Sequence, residues 1–285
     1  MKGIILAGGR GTRLFPLTKH ISKQLLPLFD KPMVFYPLST LISMGIYDIL
    51  FIVRKDNIKH FKKLFGNGQH LGIKISYLYQ DSPNGIAESF IIAEKFIGKE
   101  NATLILGDNI YYGPNFGDYS FDLSQNFGCK IFICKVSTPE RYGVVSFDRD
   151  KIESIEEKPK KPKTSYVVTG LYIYNNEVVE IAKKLKPSKR NELEITDINN
   201  TYLQNKQLEY VKLSINVYWQ DVGTPEALTQ ASEFMRSIQD RQDILIGSPE
   251  LMALKKNFIH KKQLKKLINQ YPPSYYRSKL EKIIY

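Results

Sequence analysis

The sequence predicts an α/β protein with a Rossmann-like, mostly parallel but mixed sheet flanked by helices. Three observations lead to this prediction. Short apolar runs alternate with helical stretches in the first half, strands joined by short turns fill much of the second half, and the C-terminal end has a helical pattern. A hydrophobic content of 42% in 285 residues is enough for a substantial core.

The first half has the alternating order of a parallel sheet. Apolar, strand-like runs lie at 2–7 (KGIILA), 48–53 (DILFIV), 73–79 (IKISYLY) and 102–108 (ATLILGD). Helical stretches lie between them at 32–45, 55–66 and 85–98. The first of these repeats apolar residues on one face, at Val34, Leu38, Leu41 and Ile42. This order places helices on both faces of the sheet.

The second half predicts a small β-rich insertion followed by more helices. Strands are expected at 129–136, 143–148, 151–159, 167–175, 208–213 and 216–219. Helices are expected at 176–186 and 192–205, and a longer one follows Thr224, which has the character of an N-cap before Pro225. We place a core domain at 1–237 and a C-terminal helical segment at 238–285.

The net charge of +12 is concentrated at the C-terminal end. The stretch 255–285 contains nine Lys or Arg residues and one acid, Glu281. Such a stretch can bind nucleic acid, but few aromatic residues accompany the charges, and a solvated helix face is the commoner explanation. We therefore do not expect nucleic acid as a partner.

The remaining composition favours a cytoplasmic protein without a membrane partner. No apolar run approaches the ~20 residues of a membrane-spanning helix. Cys129 and Cys134 are expected to point to opposite faces of one strand, which disfavours a disulfide between them. The four histidines are scattered without the spacing of metal ligands.

A glycine-dense loop, AGGRGTRL (7–14), follows the first predicted strand. It fails the Rossmann fingerprint, because Leu14 stands where the third glycine is needed, and it contains no P-loop register. Glycines nevertheless let backbone N–H groups turn toward an anion, and Arg13 and Lys23 add positive charge nearby. The loop predicts a polyphosphate site. A tight turn with surface arginines is the alternative that the loop alone leaves open.

Two carboxylates stand at predicted strand ends, Asp108 in LILGDN and Asp221 in YWQDVG. Open α/β sheets bind ligands at the carboxyl ends of their strands. Mg²⁺ commonly takes one or two carboxylates together with phosphate oxygens. We therefore expect Asp108 and Asp221 to bind Mg²⁺. Ordinary turns before the next element are the alternative for each aspartate taken alone.

A further polar pair, Glu157 and Lys158, stands where Pro159 helps to end a predicted strand. A lysine at this position can bind a phosphate, and a glutamate can accept hydrogen bonds from sugar hydroxyls. An exposed acidic and basic strand edge explains the motif equally well when it is considered by itself.

Together these motifs resemble the sugar-phosphate nucleotidyltransferase family. LAGGRGTRLFPLT and SKQLLPLFDKPM resemble its signature, and the family's order continues with LGDN, ERYGVV, EEKP, VTGLYIY, ELEITDIN and WQDVGT. The resemblance covers essentially the whole chain and is closest to the glucose-1-phosphate thymidylyltransferase subgroup. It implies transfer of a thymidylyl group from dTTP to α-D-glucose 1-phosphate, which gives dTDP-glucose and pyrophosphate, the first step of dTDP-deoxysugar synthesis.

The implied reaction requires no protein nucleophile, because the sugar phosphate attacks the α-phosphorus in line and pyrophosphate leaves. Catalysis then depends on positioning and on neutralisation of phosphate charge, with Mg²⁺ as the cofactor. The resemblance also implies a homotetramer. In this interpretation 1–237 is the catalytic domain, the β-rich insertion binds the sugar, and 238–285 makes subunit or regulatory contacts.

The resemblance also implies a role for each matching residue. The nucleotide would contact Leu6, Gly8, Gly9, Gly11, Gln80 and Gly85, of which the last two would read the base. Catalysis would depend on Arg13, Lys23, Lys158, Asp108 and Asp221, and the two aspartates would hold Mg²⁺. The sugar phosphate would contact Asn109, Tyr142, Gly143, Glu157, Lys158, Val168 and Arg190.

The chain departs from the family pattern at several positions near these motifs. Arg10 stands where a small residue is common, and further departures are Asp81, Asn84, Asn191, Gln220 and Val222.

Thymine and uracil differ by one methyl group, worth only about 1–3 kcal/mol in a pocket, so the alternatives of a uridylyl- or cytidylyltransferase, or of an enzyme for another hexose 1-phosphate, stay open. The alternative of another class is a non-catalytic nucleotide- or RNA-binding protein that uses the basic tail.

Overall fold

A computed structural model describes residues 1–82, 84–113 and 127–284 of the chain. Pro83, which stands between the predicted base-reading residues Gln80 and Gly85, lies outside these ranges. In chain order, the strands are β1 (Lys2–Ala7), β2 (Pro27–Leu28), β3 (Lys31–Pro32), β4 (Asp48–Val53), β5 (Lys74–Tyr79), β6 (Ala102–Leu106), β7 (Asn109–Tyr112), β8 (Cys129–Lys135), β9 (Gly143–Asp148), β10 (Lys151–Glu157), β11 (Tyr166–Tyr174), β12 (Leu208–Lys212) and β13 (Tyr218–Asp221). The helices are α1 (Phe35–Ser43), α2 (Ile58–Phe65), α3 (Glu88–Ile92), α4 (Glu94–Ile97), α5 (Val178–Lys184), α6 (Ile195–Gln204), α7 (Pro225–Gln242), α8 (Pro249–Lys255), α9 (Lys261–Asn269) and α10 (Tyr275–Ile284).

Within the described ranges the main sheet has nine strands and is mixed, which confirms the predicted fold class. The order along it is β10-β9-β11-β6-β1-β4-β5, and β8 joins β11 to β12. Strands β6, β1, β4 and β5 are parallel neighbours, as the alternating first half predicts. Strands β11, β9 and β10 are antiparallel and form most of the β-rich insertion. The carboxyl ends of β1 and β6 therefore meet at one edge, where the glycine loop and Asp108 follow.

Helices cover both faces of the sheet, so its central strands are apolar on both sides. In β1, Ile4 and Ile5 are both fully buried, yet they belong to hydrophobic clusters on opposite faces. The four apolar residues that predicted α1 are also fully buried. Cys129 and Cys134 likewise pack in opposite clusters, and both are free thiols. The spacing of apolar residues in each of these segments thus agrees with the face or faces on which the segment is buried.

Helix boundaries follow the local cap chemistry. The Thr224 hydroxyl accepts a hydrogen bond of 3.3 Å from the amide of Ala227, so α7 begins at the predicted N-cap. The single helix predicted over 85–98 is instead divided into α3 and α4, because Ala93 leaves helical geometry with a ψ of 2°.

The C-terminal helices pack on the same core as the first strands. Leu251, Leu264 and Leu280 from α8, α9 and α10 belong to the cluster that contains Ile5 of β1. The division of the chain near residue 237 stays a prediction, and α7 runs through that position. Among the helices of the described ranges, none is both long and apolar enough to cross a membrane.

Candidate active site

A short antiparallel ladder brings the two predicted metal-binding aspartates together. Asn109 of β7 pairs with Asp221 of β13, and the amide of Val222 donates a hydrogen bond of 2.9 Å to the carbonyl of Asp108. The Asp108 side chain is buried in this edge of the sheet. The sequence places each carboxylate at a strand end, and the β7–β13 pairing makes them neighbours.

The charges around this pair favour a shared cation. The ammonium group of Lys23 forms an ion pair with Asp108. Burial and the negative charge of Asp108 raise the pKa of Asp221 to about 6, against the opposing charges of Lys23 and Arg13. Two hard oxygen donors that repel each other at the edge of a basic loop suit a divalent cation.

The described residues bring two carboxylates, those of Asp108 and Asp221, to this edge of the sheet. Within the part of the chain that the structure describes, no group of three or more His, Cys, Asp or Glu side chains forms a metal site. A cation at the aspartate pair would therefore take its remaining ligands from water or from substrate phosphates, as magnesium sites commonly do.

The glycine loop and its basic residues converge on the same edge. Gly11 has a φ of 63° and closes a turn that Thr18 fixes by donating a 2.8 Å hydrogen bond to its carbonyl. The Lys23 stem crosses Gly9, where an added methyl carbon would lie 3.7 Å from Cε. Arg13 lies over Gly223 so closely that a methyl carbon there would be 2.6 Å from Nη2. Lys23 and Arg13 thus connect the glycine loop to the carboxylate pair.

The predicted base-reading residues lie together on the other side of the glycine loop. Gln80 Nε2 donates to the carbonyl of Gly85 at 3.3 Å and to Glu88 Oε2 at 2.5 Å. Its Oε1 faces Gly8, where an added methyl carbon would be 2.7 Å away. The carbonyl of Leu6, by contrast, accepts a 2.9 Å hydrogen bond from Gly107, so it is engaged within the protein.

A cavity of about 400 Å³ opens beside the aspartates and collects most of the predicted sugar-binding residues. The carboxylate of Glu157 accepts a hydrogen bond of 2.6 Å from Thr196, and the Lys158 ammonium lies 3.6 Å from it. The predicted residues that line the cavity are Arg13, Asp108, Asn109, Tyr142, Gly143, Glu157, Lys158, Val168 and Asp221.

The side chain of Asn109 is fixed by neighbours at the base of this cavity. Its Oδ1 accepts hydrogen bonds from Trp219 Nε1 at 2.7 Å and from the amide of Gly170 at 3.1 Å. Trp219 also meets Tyr142 edge to face, with ring centroids 5.3 Å apart. These contacts orient one polar and two aromatic side chains toward the same concave surface.

Arg190 reaches the site through other residues and is absent from the described residues that line the cavity. Its guanidinium lies 3.3 Å from Glu157, 2.6 Å from Glu192 and 3.6 Å from Glu194. Arg190 thus contacts the Glu157 carboxylate from outside the cavity and helps to fix its position.

The sequence interpretation missed several lining or supporting residues, among them Arg141, Thr196 and Trp219. Arg141 lines the cavity, and its buried Nη2 has no hydrogen-bond partner among the described residues. The motifs ERYGVV, ELEITDIN and WQDVGT contain these residues, but no local pattern within a motif shows which side chain faces the cavity. That information depends on the strand pairing and on the tertiary packing.

Known proteins match the sequence of this chain over nearly its whole length. The family model described as nucleotidyl transferase matches residues 2–238. A glucose-1-phosphate thymidylyltransferase from Neisseria meningitidis serogroup A is 48% identical over 94% of this chain and 93% of its own length. The chain belongs to the nucleotidyl transferase family. A second glucose-1-phosphate thymidylyltransferase in the family, from Mycolicibacterium smegmatis, is 48% identical over 93% of the chain and 92% of its own length.

Solved structures agree with this family fold. A Bacillus anthracis protein assigned as a glucose-1-phosphate thymidylyltransferase, solved in complex with a sucrose, has a TM-score of 0.79 and is 41% identical. The match covers 88% of this chain and 98% of that one. A UDP-glucose pyrophosphorylase complexed with UDP-glucose shares the fold, with a TM-score of 0.74 at 23% identity over 83% of this chain and 98% of its own. The resemblance noted in the motifs is thus confirmed at the level of the family.

Proposed function

We propose that the chain transfers a thymidylyl group from dTTP to α-D-glucose 1-phosphate, giving dTDP-glucose and pyrophosphate. The observation that carries the proposal is that Asp108, Asp221 and Arg13 line one cavity with polar and aromatic walls, while Lys23 forms an ion pair with Asp108. Anion-binding groups on one side and hydroxyl-binding groups on the other suit a nucleotide and a sugar phosphate. Relatives more than 40% identical carry the name of this activity.

The nucleotide is assigned to the glycine loop. Its base would meet the edge formed by Gln80 and Gly85, whose positions are fixed by Glu88 and by the backbone at Leu193. Backbone N–H groups at Gly8, Gly9 and Gly11 would contact the phosphates. Arg13 would neutralise the leaving pyrophosphate, and Lys23 would stabilise charge at the α-phosphate.

The sugar phosphate is assigned to the cavity. Lys158, whose side chain is 43% exposed and therefore accessible, would bind its phosphate. Glu157, held by Thr196 and Arg190, would accept hydrogen bonds from sugar hydroxyls. Tyr142 and Trp219 would pack against the sugar ring and exclude water. The protein thereby aligns the attacking phosphate oxygen with the α-phosphorus, which is the entropic part of catalysis.

We assign Mg²⁺ to Asp108 and Asp221. A bound divalent cation would neutralise charge on the phosphates of both reactants. The fit rests on the donor set, which consists of two apposed carboxylates with positive side chains on the substrate side. The homotetramer implied by the resemblance stays a prediction, and native mass measurement tests it.

The test is pyrophosphate release with Mg²⁺ across dTTP, UTP, CTP and ATP, each combined with several hexose 1-phosphates. We expect dTTP with glucose 1-phosphate to have the highest kcat/KM. A different preferred pair would retain the reaction class and reject the proposed substrates, with Arg10, Gln220 and Val222 as the first positions to exchange. The absence of reaction with every pair would reject the transferase and favour a binding protein.

A further inference from the structure

The sugar-binding cavity contains an arginine that the proposed reaction leaves without a role, Arg141. It ends the short helical turn Pro139–Arg141 directly before β9, and it lines the cavity together with Tyr142 and Asp221. Its guanidinium carbon lies 5.7 Å from the centroid of the Tyr142 ring. The turn and the aromatic ring therefore hold this side chain at the cavity wall.

The charge of Arg141 is not balanced by an ion pair within the described ranges. The carboxylates that line the cavity are those of Asp108, Glu157 and Asp221, and Arg141 pairs with none of the three. Its Nη2 is buried, yet it has no hydrogen-bond partner in the described part of the chain. Leaving a buried donor unsatisfied is unfavourable, so a native structure seldom retains one without a reason. This donor therefore indicates a ligand with acceptor oxygens.

The location of Arg141 indicates which part of the substrate it meets. Burial and the charge of Asp108 raise the pKa of Asp221 to about 6, and the charge of Arg141 is among those that oppose this rise. The guanidinium is thus near the aspartate end of the cavity. A phosphate that enters here meets two carboxylates that repel it, and a guanidinium offsets this repulsion. Its planar fork of donors also matches the oxygens of a phosphate.

We propose that Arg141 is a further catalytic residue, which binds the phosphate of the sugar 1-phosphate together with Lys158. The assignment rests on the proposed function. In that reaction an oxygen of this phosphate forms a bond to the α-phosphorus, and pyrophosphate leaves with the electron pair of the bond that breaks. The guanidinium stays protonated throughout, so it neither takes nor gives a proton. It orients the attacking oxygen and offsets the charge of the aspartates.

Steady-state kinetics of Arg141→Gln on both substrates test this contact. The variant loses a charge-assisted contact to phosphate, so KM for glucose 1-phosphate should rise about tenfold or more while KM for dTTP stays unchanged. Arg141→Lys keeps the charge and should lose less. Arg149→Gln is the matched control, because Arg149 is exposed just after β9 and does not line the cavity. An unchanged KM for glucose 1-phosphate, or an equal rise in both KM values, would overturn the proposal.

Urea unfolding of the unliganded proteins separates a contact to substrate from a structural role. Removing a buried donor that lacks a partner should leave the free energy of unfolding of Arg141→Gln equal to that of the wild type or above it. An arginine that stabilises the fold would make the variant less stable instead. A loss of stability that accompanies the rise in KM would therefore assign Arg141 to the fold and refute the contact.

Failure of the proposed function would be recognised in the wild type, as the absence of turnover with every pair of substrates. Glucose 1-phosphate is then titrated calorimetrically into the wild type and into Arg141→Gln, both as full chains. A Kd about tenfold higher in the variant would support the contact even without the transferase. Equal affinity in the two proteins, or binding to neither, would reject it.

Discussion

Asp108 and Asp221 are neighbours because Asn109, the residue after Asp108, pairs directly with Asp221 across the β7–β13 ladder. Lys23 forms an ion pair with Asp108, and the carboxylate of Asp221 is left with a raised pKa of about 6. The ladder therefore holds two like charges together, which is unfavourable unless a cation or a proton offsets them. Such repulsion between two carboxylates is expected at a metal site, and it is the basis of the first two predictions.

Asp108→Asn should abolish metal-dependent activity while the fold is retained. The change removes one anionic ligand and leaves Lys23 without its carboxylate partner. Losing a group that stabilises transition-state charge commonly lowers kcat by about a hundredfold or more. The measurement is kcat for pyrophosphate release over a range of Mg²⁺ concentrations, with circular dichroism as a check on folding. Asp148→Asn, at the exposed end of β9, should retain activity; full activity in Asp108→Asn would refute the metal assignment.

The free energy of unfolding of the metal-free protein should fall as the pH rises from about 4 to 6, because Asp221 loses its proton over this range. Its folded pKa of about 6 lies above the ordinary 3.8, so the folded state binds the proton more tightly than the unfolded state does. Its stabilising effect is thus complete below the unfolded pKa and is lost as the pH passes the folded one. Each unit of pKa difference corresponds to about 1.4 kcal/mol.

The measurement is urea unfolding of the wild type and Asp221→Asn in EDTA between pH 4 and 7. The wild type should lose stability relative to the variant across that range, because asparagine stays neutral. Parallel stability curves for the two proteins would contradict the raised pKa.

The sequence predicts the parallel core well because the information is local. A strand buried on both faces needs a continuous apolar run, and KGIILA and DILFIV provide one. Errors occur where tertiary contacts decide the geometry. The strand predicted at 216–219 lies at Tyr218–Asp221, since pairing with β7 fixes its register. The helix predicted over 85–98 is interrupted at Ala93.

The same distinction between local sequence information and tertiary contacts applies to the site. Asp108 and Asp221 can be predicted because strand ends in an open sheet meet at one edge. Their apposition depends on a pairing between strands far apart in the chain. The role of Thr196 as a donor to Glu157 is equally non-local, since the two residues lie on different elements and meet only after folding. Spacing within a motif contains no information on such contacts.

Lys158→Ala should weaken binding of the sugar phosphate more than it changes the chemical step. Lys158 has a φ of 45° just after β10 ends and lines the cavity next to Glu157. Removing a charge-assisted contact to phosphate should raise KM for glucose 1-phosphate about tenfold, with KM for dTTP unchanged. Steady-state kinetics on both substrates provide the check, and Lys160→Ala, which is exposed two residues later, is the matched control. An unchanged KM for the sugar phosphate would exclude this role.

Gly85→Ala should destabilise the protein and weaken dTTP binding together. Gly85 has a φ of 108°, and an added methyl carbon would lie 2.3 Å from the carbonyl oxygen of Leu193. Gly98 also has a positive φ, of 57°, but nothing lies within 4 Å of the same position. Backbone strain of about 1–3 kcal/mol applies to both substitutions, whereas only Gly85→Ala must also displace the neighbouring chain.

Comparing Gly85→Ala with Gly98→Ala separates the effect of backbone strain from that of the steric clash with Leu193. Urea unfolding should show a larger loss of stability for Gly85→Ala than for Gly98→Ala. The shift of Leu193 would also move the Gly85 carbonyl, which accepts a hydrogen bond from Gln80, so KM for dTTP should rise only in Gly85→Ala. Equal losses of stability would show that the Leu193 backbone yields freely. An unchanged KM for dTTP would remove Gly85 and Gln80 from the base-binding edge.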